Sequence, residues 1–179
     1  ARTVTRVFVL LFILGFATDI GIWYHTKNSR EGLRVTFIDV GAGDSALVEL
    51  PEGEAMLVDG GGFYRTSFDV GEAVVAPFLL KRRIRSLLAV VISHPHQDHI
   101  GGLGYIVDNF QVGEVWMADA DYPPEIWEWL LEKIRRKNIP IRRFSQESPA
   151  ILINGVRVDF LSPPQGFGRE IKQWTGKDV

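Results

Sequence analysis

Cysteine is absent from this chain of 179 residues, so neither disulfide bonds nor thiolate metal sites can contribute to its structure. Histidine is scarce, with four residues in all. The formal net charge is only −2, which excludes a strong overall attraction to nucleic acid or to acidic membranes and leaves such contacts to local patches. No internal repeat and no low-complexity segment occurs. With 46% hydrophobic and 23% charged residues, the composition is that of a folded protein of about one domain.

Three of the four histidines lie in one short segment, in which His94, His96, Asp98 and His99 follow the apolar run 87–92 and precede Gly101-Gly102. A short loop at the end of a buried strand can turn alternate side chains toward one point. We therefore predict that His94 and His96 share one metal ion, and that Asp98 and His99 reach a second ion beside it. Imidazoles and a carboxylate suit Zn²⁺, Mn²⁺ or Fe²⁺ and leave coordination positions open for water.

We predict that the cluster binds two divalent ions, Zn²⁺ or Mn²⁺. Asp98 is also the candidate catalytic residue. The alternative is a polar loop whose histidines hydrogen-bond nearby carbonyl groups. A lone histidine would favour that alternative, but the spacing of this cluster and its position after a strand favour metal binding.

Two further aspartates are candidates for supporting roles. Asp59 ends an apolar run and is followed by three glycines, and it is predicted to orient a ligand histidine. Asp44 lies in a glycine turn with Gly41 and Gly43, where accepting backbone hydrogen bonds is its main expected role and a place near the site is the weaker alternative.

The N-terminal segment 7–24 is apolar except for Asp19. As a helix it would be about 27 Å long, which is close to the thickness of a bilayer core. A membrane span is favoured over a signal peptide and over the buried helix of a soluble protein. Because positive charge is nearly balanced across the segment, its orientation is weakly specified. The predicted division is a membrane helix and linker over 1–32, and a second region over 33–179.

Strands and helices alternate in the second region, which predicts a layered α/β domain. Strands are expected at 34–39, 44–50, 55–59, 87–92, 114–117 and 139–144, with a hairpin formed by 150–154 and 156–161. Helices are expected at 71–83, 101–110 and 123–137. Pro77 predicts a kink or a late start in the first of these helices.

Three motifs in this order resemble the metallo-β-lactamase fold superfamily: FIDVGAGDS from Phe37, LVDGG from Leu57, and SHPHQDHIGG from Ser93. They are most similar to the C-terminal domain of ComEC-type competence proteins, which are membrane channels for DNA uptake. The resemblance implies an αββα sandwich with a metal site at its edge, and an apolar segment upstream fits the membrane helices of that branch.

The same resemblance implies an incomplete domain, preceded by one transmembrane helix. Superfamily members continue into a strand whose aspartate bridges two metals, and nothing after His99 matches it; the echo at Thr175-Gly176-Lys177-Asp178 lacks an apolar strand before it. We therefore expect the sandwich to be truncated at its C-terminus and the metal site to lack at least one ligand.

The function that the resemblance implies is metal-dependent hydrolysis of DNA phosphodiester bonds, with single-stranded DNA as the partner. The expected location is the bacterial inner membrane, with the hydrolase domain on the extracytoplasmic side. Two alternatives stay open: a catalytically incomplete, membrane-anchored remnant, and a secreted metallo-hydrolase that acts on another ester or amide. Whether this chain by itself is an enzyme is left undecided.

Two basic clusters offer partial support for a nucleic-acid partner. The first comprises Lys81, Arg82, Arg83 and Arg85, and the second comprises Arg135, Arg136, Lys137, Arg142 and Arg143. Runs of basic residues like these are more often solvated helix ends, and we favour that interpretation over nucleic-acid binding.

Overall fold

The structure is a computed structural model that describes residues 2–28, 32–64, 67–120, 122–123 and 127–167. The expectations that fall on 124–126, within the third predicted helix, and on 168–179 lie outside the described residues.

The N-terminal helix α1 runs over Arg2–Asn28. Its stretch Val4–Ile22 has a mean hydropathy of 1.8, and none of that stretch is buried inside the protein. The alternative of a buried core helix is therefore wrong for this segment, whereas a membrane span and a signal sequence both fit its length and composition. Asp19, the one acidic residue within the stretch, accepts two hydrogen bonds from the guanidinium of Arg83, at 3.1 and 3.3 Å.

A six-stranded sheet in the order β1-β2-β3-β4-β5-β6 forms the centre of the remaining chain. Its strands are Arg34–Phe37, Ala46–Glu49, Ala55–Val58, Ser86–Ile92, Gln111–Ala118 and Ile141–Phe144. The first three strands pair antiparallel, and β3 to β6 run parallel. The carboxyl ends of β3 and β4 therefore meet at one edge of the sheet, which is where the aspartate and histidine motifs follow them.

The two faces of the sheet bury different cores because side chains alternate along each strand. On one face, Leu57, Val90 and Val115 pack against the helices, in a core that includes Leu103 and Leu130. The helices are α2 Ala76–Lys81, α3 Gln97–Ile100, α4 Leu103–Asn109 and α5 Glu128–Arg136.

On the opposite face, Met56, Ala89, Trp116 and Phe144 pack against a hairpin. The hairpin is formed by β7 Ile151–Ile153 and β8 Val156–Val158, which pair antiparallel. Asn154 at its turn has a φ of 48°, a left-handed conformation that asparagine tolerates well. The molecule is therefore a mixed α/β fold with helices on one side of the sheet and a hairpin on the other.

Several element boundaries differ from the sequence prediction. The second strand begins at Ala46, so Asp44 and Ser45 belong to the preceding turn. The expected helix at 71–83 opens with a wide turn over Gly71–Val75, and the regular helix begins at Ala76 with Pro77 in its first turn, as the late-start alternative predicted. The fifth strand is longer than expected, and α5 is described only from Glu128.

The histidine segment itself is only partly a loop. Asp98 and His99 lie on the single turn of α3, which precedes Gly101-Gly102, instead of in the loop that the sequence predicted. His96 starts this turn by accepting hydrogen bonds at its carbonyl oxygen from the amides of His99 and Ile100, both at 2.9 Å.

Candidate metal centre

The imidazole rings of the cluster are close neighbours beyond the end of β4. The ring centroids of His94 and His96 are 4.6 Å apart, and those of His94 and His99 are 3.9 Å apart. The side chain of His99 is 13% exposed. The rings of His96 and His99 therefore both lie against the ring of His94.

Asp59 is buried beneath this cluster. It follows β3 directly, is 3% exposed, and has a φ of 54°. Its carboxylate accepts hydrogen bonds from the backbone amide of Ser93 at 2.9 Å and from the Ser93 hydroxyl at 2.6 Å. The Nδ1 atom of His99 lies 2.9 Å from the same carboxylate. A buried charge requires such partners, and these three join the end of β3 to the histidine segment.

The contact with Asp59 determines which nitrogen of His99 is available. A carboxylate accepts a hydrogen bond from Nδ1–H, so a neutral ring held in this way carries its lone pair on Nε2. That Nε2 atom lies 3.8 Å from Oδ2 of Asp98. His99 and Asp98, which are predicted to bind one ion, thus place a nitrogen and an oxygen atom side by side.

Ser93 extends the same arrangement to His94. The Ser93 Oγ atom lies 3.1 Å from Nδ1 of His94. Because the serine hydroxyl donates to Asp59, its oxygen can accept a hydrogen bond from Nδ1–H of His94, and a neutral ring then has its lone pair on Nε2. Partial burial, followed by the positive charges of His99 and His96, lowers the pKa of His94 and favours the neutral ring that binds metals. Sequence reasoning assigned no role to Ser93, although a hydroxyl directly before the first histidine was an available signal.

Asp44 contributes mainly through its backbone. Its carbonyl oxygen accepts a hydrogen bond from the Gly61 amide at 2.8 Å. Its side chain is 81% exposed, with Oδ2 at 4.0 Å from Nδ1 of His99. The turn that contains Asp44 is therefore attached to the glycine segment after Asp59, and the carboxylate lies at the rim of the cluster.

Two glycines let the three motifs approach one another closely. Gly43 has a φ of 74°, and a Cβ atom there would lie 1.6 Å from the carbonyl oxygen of Asp98. A Cβ atom at Gly62, whose φ is 158°, would lie 2.2 Å from the carbonyl oxygen of Gln97. No side chain fits at either position, so glycine is required on both sides of α3.

Tyr64 is a further neighbour that the sequence did not reveal. Its hydroxyl donates to Oδ1 of Asp98 at 3.2 Å. Desolvation, followed by the negative charge of Asp98 and the hydrogen bond to it, raises the pKa of Tyr64, so the hydroxyl remains a proton donor near neutral pH. The two residues are 34 positions apart, and no pattern along the chain relates them.

The donor types fit a divalent cation, since neutral imidazole and carboxylate are the ligands of Zn²⁺ and Mn²⁺ in proteins. The position of His99 Nε2 beside the Asp98 carboxylate also suits a shared cation. Within the part of the chain that the structure describes, however, no three His, Asp or Glu side chains aim their ligating atoms at one position closely enough to form a complete site. The structure therefore brings His94, His96, Asp98 and His99 together with Asp59, and their roles as metal ligands stay a prediction.

One curated protein is similar to much of this chain. ComE operon protein 3 of Bacillus subtilis (strain 168) is 29% identical over 146 residues, which are 75% of this chain and 19% of that protein. The chain thus spans about a fifth of the length of this relative.

Two solved structures are also similar. A diphosphatase of the PhnP family is 18% identical, with 69% of this chain and 55% of that chain covered and a TM-score of 0.43. The Rm3 metallo-beta-lactamase is 16% identical, with 74% and 52% covered and a TM-score of 0.44. Both TM-scores are below 0.5, so the assignment to a family does not depend on them.

The family is shown by the sequence itself. The pattern of the Metallo-beta-lactamase superfamily matches residues 38–174, which is well over half of the chain and includes the glycine turn, Asp59 and the histidine segment. The resemblance that the three motifs indicated is confirmed: this chain belongs to the metallo-beta-lactamase superfamily.

Proposed function

We propose that this chain is the metal-dependent hydrolase region of a membrane protein of the competence type, and that it cleaves phosphodiester bonds in DNA. The observation that carries the metal-dependent part is the orientation of His99. Its Nδ1 atom is engaged by buried Asp59, and its Nε2 atom faces the carboxylate of Asp98. A polar loop whose histidines only hydrogen-bond nearby carbonyl groups would not need a carboxylate on each side of one imidazole.

Divalent ions bound there would supply a Lewis acid and would lower the pKa of water toward neutrality. The chain's own residues would have defined tasks around them. His94 and His96 would hold one ion, and Asp98 and His99 would hold the other. Asp59 would keep His99, and Ser93 would keep His94, in the tautomer with a free Nε2 atom, because each accepts a hydrogen bond from Nδ1–H of that ring.

DNA as the substrate is supported by the similarity to a protein of the ComE operon. The two basic clusters give weaker support for DNA as the substrate, because most of their residues already have partners. Arg82 is paired with Glu49 and Arg83 with Asp19. In the second cluster Arg135, Arg136 and Arg142 pair with Glu128, Asp108 and Glu114, and Lys137 and Arg143 donate to backbone carbonyl groups. Most of these charges already have partners, so binding to DNA phosphates through them should be weak and easily lost in salt.

The membrane location is part of the same proposal. Helix α1 has the length and hydropathy of a span, and the expected place is the bacterial inner membrane with the hydrolase region on the extracytoplasmic side.

A nuclease assay tests the proposal. The full chain in detergent is incubated with labelled single-stranded DNA and Zn²⁺ or Mn²⁺, beside a His96→Ala variant in which one ligand is removed. We expect cleavage by the unaltered chain, which chelator abolishes and which the variant lacks. Absence of cleavage with every divalent ion would contradict DNA hydrolysis, and equal cleavage by the variant would indicate a contaminating nuclease.

A second candidate is a binding module that has no catalytic activity. It is favoured by the finding that no three ligating side chains in the described residues surround one position. Elemental analysis separates the two candidates, because two tightly bound ions per chain would contradict the inactive module and fewer than one would contradict the hydrolase.

A further inference from the structure

The segment after the glycines of the second motif is anchored against the first motif. A Cβ atom at Gly41 would touch the ring of Phe63 at 3.0 Å, so the ring lies directly on the glycine turn. Phe63 also packs edge to face on Phe68, with ring centroids 6.0 Å apart. The contact with Gly41 holds Phe63, the residue directly before Tyr64, against the glycine turn.

The anchored segment brings the Tyr64 hydroxyl to Asp98. The hydroxyl donates to Oδ1 at 3.2 Å, while Oδ2 of the same carboxylate is the oxygen that lies 3.8 Å from Nε2 of His99. One carboxylate oxygen is therefore held by tyrosine and the other is turned toward the imidazole. A side chain that is 34% exposed would otherwise rotate freely about its Cβ–Cγ bond.

We propose that Tyr64 is a positioning residue for the second metal ion, which it serves by fixing the rotation of the Asp98 carboxylate. This inference rests on the proposed metal centre and adds to it a residue outside the histidine segment. The Tyr64 hydroxyl contacts Asp98, so its effect is expected on the ion that Asp98 and His99 share.

The test is a two-step metal titration of the full chain in detergent, with Zn²⁺ in competition with a chromophoric chelator. Tyr64→Phe removes the hydroxyl and keeps the ring. We expect the second Zn²⁺ to bind about 10-fold more weakly, at the low end of the effect of losing a group that orients a ligand, and the first to bind unchanged. Tyr105→Phe, which removes a hydroxyl on α4, is the matched control and should leave both steps unchanged.

The outcomes distinguish the inference from the function beneath it. Two steps of unaltered affinity in Tyr64→Phe, or equal weakening of both, would overturn the positioning role while the metal centre stands. A wild-type chain that binds no Zn²⁺ would overturn the metal centre and the positioning role together. Thermal unfolding of the metal-free variant, which should match the wild type, excludes a general loss of structure as the cause.

Discussion

At the scale of single residues, the carboxylate of Asp59 is held by its burial and by its contacts with two neighbouring residues. The residue is buried, its φ is positive, and its two carboxylate oxygens contact Ser93 and His99. Aspartate tolerates the left-handed region better than most residues because its short side chain can hydrogen-bond locally. The conformation and the burial of Asp59 therefore suit a residue whose carboxylate orients His99.

We expect Asp59→Asn to weaken Zn²⁺ binding by about 10-fold to 100-fold, because the carboxylate that holds the Nδ1 proton of His99 is lost. Competition with a chromophoric chelator measures the change. Asp159→Asn is the matched control, since Asp159 is exposed and pairs with Arg157 on the hairpin. Unchanged affinity in Asp59→Asn would contradict the orienting role.

The pKa of His94 predicts how acid affects the metal-free protein. Because burial and the neighbouring histidines lower this pKa below 6.5, the unfolded chain binds a proton more readily than the folded chain. The contribution of His94 to the free energy of unfolding is present above pH 6.5 and is lost as the pH falls toward the folded value. Urea titrations across that range should show less pH dependence in His94→Gln than in wild type. Identical pH profiles would show that the pKa of His94 is not lowered.

At the scale of elements, the site depends on the close approach of three turns. The glycine turn before β2, the glycines after β3 and the helical turn α3 are joined by backbone hydrogen bonds, from Gly60 to His99 at 2.7 Å and from Gly61 to Asp44 at 2.8 Å. Helices α4 and α5 are joined by side-chain ion pairs, in which Lys133 and Arg136 of α5 bind Asp108 of α4. Hydrogen bonding to Lys133 is the main reason that the pKa of Asp108 is lowered.

Gly43→Ala tests the importance of that approach. The new Cβ would overlap the carbonyl oxygen of Asp98, and we expect a loss of at least about 2 kcal/mol in the free energy of unfolding, together with weaker metal binding. Gly155→Ala is a matched control, because Gly155 has a similar φ of 80° and no atom within 4 Å of its Cβ position. That variant should lose only about 1 kcal/mol through backbone strain. Denaturant unfolding measures both, and equal losses would show that the contact with Asp98 is not limiting.

At the scale of the whole molecule, an exposed apolar helix adjoins a domain with two cores. Helix α1 presents its apolar side chains outward over Val4–Ile22, whereas the sheet buries residues on both faces. An exposed surface of this size requires a covering, and a bilayer is the covering that suits its length.

If α1 spans the bilayer as proposed, the full chain should sediment with membranes and resist extraction by alkaline carbonate. A variant that lacks residues 2–28 should appear in the soluble fraction. Immunoblots of the two fractions measure the distribution. A full chain that is soluble, or one whose N-terminal sequencing shows that the apolar segment has been removed, would contradict the span and would favour the signal-peptide alternative.

The sequence by itself determined the α/β class, the family and the composition of the cluster at 94–99, because alternating apolar runs and closely spaced ligand residues are local properties of the chain. It also predicted the turn at Asn154-Gly155 and the late start of α2. Only the tertiary structure decided which nitrogen of His99 is free, since that depends on Asp59, 40 positions away. It likewise placed Tyr64 on Asp98 and gave partners to most residues of the two basic clusters. Such contacts arise from the packing of separate elements, and spacing along the chain does not encode the directions in which distant side chains meet.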